Sequence, residues 1–92
     1  MELKNILVLG RRDHTEAMRV AAGLTIVGHH VRIVLMNDVV EETEENAQQV
    51  ELLELSDINP QTTVVEMTDD LEFLDANALA NAIRTSDRVI SM

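Results

Sequence analysis

Residues 5–24, NILVLGRRDHTEAMRVAAGL, decide how the rest of this chain is read. Residues 4–9, KNILVL, form an apolar run that ends at Gly10. A continuous run of this kind suits a parallel strand buried on both faces. Asp13 then offers a helix N-cap with Glu16 three residues on, the spacing of a capping box. This predicts a helix from His14 that stops at Gly28, where glycine suits the left-handed C′ position. Ala17, Val20, Ala21, Leu24 and Val27 share one face by helical spacing. A strand, a glycine turn and a helix start are the opening of an α/β unit.

Working outward, VRIVLMND (31–38) reads as a second strand closed by Asn37-Asp38. The acid-rich stretch that follows reads as a helix, with Ala47, Val50, Leu52 and Leu53 as its apolar stripe. Acids at its front complement the positive end of the helix dipole. Pro60 pushes Asn59 out of helical conformation and ends it. TTVVEM (62–67) reads as a third strand by its β-branched content, and LEFL (71–74) as a short extended piece. A helix capped by Asp75, with Leu79, Ala82 and Ile83 inward, leads to a last strand, RVISM (88–92). Alternation of this kind implies right-handed crossovers. The expected fold is an α/β three-layer sandwich, residues 1–92 forming a single domain with a small parallel sheet of four to five strands and helices on both faces.

Composition narrows the function classes. The 92 residues carry 17 acids against 7 Lys and Arg, a formal net charge of −10, and Phe73 is the one aromatic. Such a surface repels nucleic acid and anionic membranes, and one ring cannot supply base stacking. Residues 33–83 contain no Lys or Arg. That segment is either a solvated acidic face or a docking surface for a basic protein partner. Without cysteine, neither disulfides nor thiolate chemistry is available. No segment reaches the ~20 apolar residues of a membrane span and no signal peptide fits, so a cytoplasmic protein is expected. A domain this short buries only roughly 60% of its unfolded surface, and a small sheet has exposed edges, so at least a dimer is expected.

Four groups of residues are candidates for chemistry. Gly10, Arg11, Arg12 and His14 lie at the carboxyl end of the first strand, where open α/β sheets bind ligands. The three glycines of the dinucleotide fingerprint and the Gly-Lys-Ser/Thr of the P-loop are both absent, and Asp13 competes with an anion for the helix amides. The group therefore reads either as an anion or nucleotide site or as a surface loop whose arginines pair with acids. His29 and His30 point to opposite faces, a poor chelate, and His29 suits closure of the helix-to-strand turn. Asp38, Glu41, Glu42, Glu44 and Glu45 lack the spacing of a calcium loop. Glu66, Asp69 and Asp70 follow the third strand, without a nucleophile to serve. No metal or cofactor is expected.

Residues 3–40, LKNILVLGRRDHTEAMRVAAGLTIVGHHVRIVLMNDVV, resemble the opening of the DsrE/DsrF-like family, which includes the sulfur-relay Tus subunits. Gly28-His29 matches the family's Gly-His, and Asp38-Val39-Val40 stands where members commonly have Asp-Gly-Val. The tail ALANAIRTSDRVISM is similar to the family's last helix and strand. The resemblance covers about two-thirds of the chain. It implies the α/β fold and a tendency to form homo-oligomers or hetero-oligomers with related subunits. Active members carry a persulfide on a cysteine just after the third strand. Here Met67, or a neighbour between Glu66 and Asp69, takes that place, and a thioether cannot carry a persulfide. The helix that follows the cysteine in the family is also missing. The resemblance therefore implies a non-catalytic partner-binding subunit; in the alternative reading, a small-ligand module, Met67 and Asp69 of the loop after the third strand join Gly10–His14.

Overall fold

The computed structural model describes residues 3–69 and 71–92. Its elements follow the order β1 (Asn5–Gly10), α1 (His14–Val27), β2 (His30–Leu35), α2 (Glu44–Leu55), β3 (Gln61–Thr62), a 3₁₀ turn (Val65–Met67), β4 (Glu72–Phe73), α3 (Ala76–Thr85) and β5 (Arg88–Ser91). The five strands form one sheet in the order β4-β3-β2-β1-β5, and every pair is parallel. β1, the most apolar strand, lies between β2 and β5. Its register with β2 runs from Asn5 opposite His30 to Gly10 opposite Leu35.

Strand alternation divides the core in two. Ile6, Val8, Ile33 and Leu35 face α1 and α2 and join Ala17, Met18, Ala21, Ala22 and Leu53. Leu7, Leu9 and Val34 face the other way, against Leu74 and the Ala78, Leu79 and Ala82 stripe of α3. The winding explains the division. The chain steps from β1 to β3 in one direction and returns from β4 to β5 in the other, so crossovers of one hand place α3 on the opposite face. The result is the expected three-layer α/β sandwich.

The caps follow the side-chain chemistry. Asp13 Oδ1 accepts from the Glu16 amide at 3.0 Å, Thr43 Oγ1 from the Asn46 amide at 3.1 Å, and Asp75 Oδ1 from the Ala78 amide at 2.7 Å. Gly28 ends α1 at φ 110°, a conformation that costs residues with a Cβ. Glu16 does not complete a capping box: its carboxylate bonds Arg19, whose Nε donates at 2.9 Å. That hydrogen bond and the guanidinium charge hold the Glu16 carboxyl below its ordinary range.

Packing corrects several expectations. Met18 and Ala22 are buried in α1, whereas Val27 is 50% exposed, because α1 lays the adjacent pairs Ala17-Met18 and Ala21-Ala22 on the sheet. In α2, Asn46 is buried while Ala47 is exposed, and in α3 Ile83 is 41% exposed. The third strand is two residues long rather than 62–67. There the Thr62 hydroxyl donates to the Leu35 carbonyl at 2.8 Å and accepts from the Val64 amide at 2.9 Å. This side-chain bridge takes the backbone out of the ladder, a local competition that threonine is suited to. The 3₁₀ turn at Val65–Met67 follows.

Candidate functional site

The carboxyl ends of the strands bring Gly10, Arg11, Arg12 and His14 together, and the backbone hydrogen bonds there decide what the loops can do. In this strand order the winding reverses between β1 and β5, and open α/β sheets place ligands at that crevice. Here the crevice is filled by the chain itself. The amides of Arg11 and Arg12 donate to the Met92 carbonyl at 2.9 and 2.8 Å, and that of Asp13 does so at 3.4 Å. Further into the first turn, the Glu16 amide is taken by the Asp13 carboxylate. The amides of Arg11, Arg12, Asp13 and Glu16 are therefore already engaged, which leaves to an anion those of His14 and Thr15 at the start of α1 and the exposed Arg11 and Arg12 side chains.

Gly10 is explained by the same close packing. A Cβ at Gly10 would lie 3.0 Å from Leu35 Cδ2 and 3.1 Å from the Ala17 Cβ. The glycine lets the first turn of α1 settle onto β1 and β2.

The β1–α1 loop is stitched to the loop after β2. The Met36 amide donates to the Gly10 carbonyl at 2.8 Å. Asn37, held at φ 74°, donates through Nδ2 to the Arg11 carbonyl at 2.8 Å. His14 Nε2 lies 2.9 Å from the Met36 carbonyl. A carbonyl can only accept, so Nε2 carries the proton in this contact. Beyond these stitches opens a cleft of about 560 Å³ lined by Arg12, Asp13, His14, Thr15, Asp38, Val39, Glu41 and Asn46. Its hydroxyl, Thr15 Oγ1, donates to Asn46 Oδ1, and Asn46 Nδ2 donates to the Glu41 carbonyl at 2.9 Å. Both groups are spent tying α1 to the start of α2. The lining mixes one guanidinium and one imidazole with three carboxylates, and no nucleophile stands beside a base in it. Among the described residues, no group of three or more His, Asp or Glu could hold a metal ion.

Compared with models of known protein families, with curated proteins and with solved structures, the chain matches none. Its functional reading therefore rests on its own residues.

The remaining expected residues are dispersed. His29 lies at the other end of the sheet, where its Nδ1 accepts from the Lys4 amide at 3.0 Å. The side chain thus ties the α1–β2 turn to the residue before β1, while the His29 backbone amide, donating to the Leu24 carbonyl, closes the turn itself. Asp69 is exposed and lines neither the cleft nor the groove described next; Asp70 lies outside the described residues. Met67 is 6% exposed and belongs to the core beneath α1 and α2. Its Sδ accepts from the Val40 amide at 3.3 Å. Met67 also floors a second depression, of about 570 Å³, between α2 and the β3–β4 edge of the sheet. Sequence reasoning missed this groove, the buried Asn46 and the Met92 carbonyl. Thr43, three residues before Asn46, was the available signal for the second of these. The other two depend on long-range packing, which periodicity does not report. Among the described residues, no helix is long and apolar enough to cross a membrane.

Proposed function

We propose that this chain is a non-catalytic subunit of DsrE-like type. It acts by binding protein partners, as a homo-oligomer or with a related cysteine-bearing subunit, in the sulfur relay or sulfur metabolism of the cytoplasm. The observation that carries this reading is Met67. Met67, which stands at or beside the place of the family's cysteine, is buried, packed in the core and hydrogen-bonded through sulfur to the Val40 amide. A side chain so placed supports the chain and transfers nothing. Unfinished surfaces add support for assembly. β4 and β5 are the edges of the sheet and expose Phe73 and Val89, and edges of this kind are ordinarily covered or paired.

Native mass spectrometry of the protein purified gently from its own host tests the proposal. The expected result is an oligomer, either of this chain alone or with a cysteine-bearing relative. A monomer at micromolar concentration, without any partner, would overturn it.

The cleft between Arg12 and Glu41 favours a second reading, a small-ligand or anion-binding module of the Gly10–His14 loop. With the Arg11, Arg12 and Asp13 amides taken by Met92, binding would rest on the Arg11 and Arg12 side chains and the amides of His14 and Thr15. A small-molecule mass retained in the same experiment, and lost in the Arg11→Ala/Arg12→Ala double variant, would establish this alternative in place of the first.

A further inference from the structure

The groove between α2 and the β3–β4 edge combines an apolar floor with a rim of one charge. Val39, Val40, Val50, Met67 and Leu71 supply the apolar surface. Glu42, Glu54, Glu66 and Glu72 stand around it, and all four are exposed. No Lys or Arg is among the lining residues, as the absence of bases from 33 to 83 requires. Val39 is 53% exposed, so apolar surface is accessible at the mouth as well as at the floor.

The two parts of the groove ask for different things. An apolar depression is filled favourably by an aliphatic or aromatic side chain, which gains by leaving water. Four unpaired carboxylates around it repel one another and attract cations, most strongly where the low-dielectric floor reduces screening. An anionic ligand is repelled, and a purely apolar one leaves the rim unneutralised. A small inorganic cation would leave the floor empty. A peptide segment with an apolar side chain flanked by Lys or Arg satisfies both, because the long stems of the basic side chains lie along apolar surface while their heads reach the carboxylates.

We propose that this groove is the docking site for a basic, amphipathic segment of a partner protein. The inference rests on the partner-binding reading above and names the surface and the chemistry by which a partner is recognised. It also assigns a role to the acidic bias of residues 33–83: the bias keeps every competing base off the rim.

The test uses the full chain and a labelled synthetic peptide in which leucines are flanked by lysines, with a peptide carrying glutamate in place of lysine as control. Fluorescence anisotropy should show binding of the lysine peptide alone, weakening as salt is raised. Val39→Ser removes exposed apolar surface and Glu66→Gln/Glu72→Gln removes rim charge. Each should weaken binding at least fivefold. Glu45→Gln/Glu51→Gln, an equal loss of charge on α2 outside the groove, should change it less than twofold. Circular dichroism confirms that each variant is folded.

Equal weakening by the rim and distal pairs would overturn the proposal, since attraction to net charge alone would then explain binding. So would no binding of the lysine peptide, or spermine binding as tightly as the peptide, because spermine has no apolar side chain to seat. Repeating the host purification with the Val39→Ser and Glu66→Gln/Glu72→Gln variants separates the two readings. A partner complex that survives these changes leaves the subunit reading standing and removes the groove from it. Self-association that the same changes abolish would assign the groove to a second copy of this chain and overturn the partner-segment proposal.

Discussion

A methyl group added at Gly10 would press on Leu35 and on the Ala17 Cβ at 3.0 and 3.1 Å, whereas one added at Gly23 meets nothing within 4 Å. The two glycines should therefore respond oppositely to alanine. Gly10→Ala forces α1 away from the sheet and should destabilise by about 1–3 kcal/mol. Gly23 is exposed in the interior of α1, and Gly23→Ala should stabilise by up to about 1 kcal/mol through helix propensity. Urea denaturation of the pair checks this, and a stabilised Gly10→Ala would refute the packing account of that glycine. At this scale Met67 also separates from its neighbours. It is a core residue, whereas Glu66 and Asp69 on either side are exposed, and it is Glu66 that reaches the groove rim.

Among the elements, α1 depends on its first turn more than its length suggests. The Asp13 carboxylate holds the Glu16 amide, and the same loop holds the Met92 carbonyl through the Arg11 and Arg12 amides. A single short loop thus joins β1, α1 and the end of β5. Asp13→Ala should cost about 1 kcal/mol, within the range for a lost N-cap, and Asp13→Asn, which keeps the acceptor, should cost less. Thermal unfolding followed by circular dichroism distinguishes them; equal losses would mean that charge, not capping, is what Asp13 contributes. The sheet is uneven by comparison. β1 and β2 share six register pairs, while β3 and β4 share two. The groove is built along this thin edge, next to the part of the sheet with the fewest ladder bonds.

For the molecule as a whole, a net charge of −10 on 92 residues is a self-repulsion that the folded state concentrates. Seven basic residues are too few to offset it, and Glu16–Arg19 is the salt bridge formed among the described residues. Raising sodium chloride from about 0.05 to about 0.5 M shortens the screening length severalfold and should raise Tm. Scanning calorimetry reads this directly. A flat or falling Tm would show that the acids are already compensated, as they would be by a bound basic partner.

How far the chain was legible depended on whether a feature was local. The run at 4–9, the Asp13 cap, the Gly28 stop and the Asp75 cap are local, each a side chain or a φ angle acting within a few residues. The alternation of strands and helices followed from them, and with it the three-layer class. Expectations failed where a distant group competed. Residues 63–67 were read as a continuation of the strand by their branching, but beyond Thr62, whose hydroxyl bridges the Leu35 carbonyl and the Val64 amide, the ladder ends. Asn46 carries no signal of burial in its own side chain, and Thr15 and the Glu41 carbonyl make burial tolerable for it. The glycine loop looked open to an anion because nothing in its own residues reveals that Met92, brought alongside by the β1–β5 pairing, supplies the acceptor. By itself the sequence determined the fold class, both ends of α1, the start of α3 and the missing thiol, because caps, periodicity and composition act at short range. Only the tertiary structure decided which donors stay free and where acids meet apolar surface, because both depend on residues that the chain brings together from far apart.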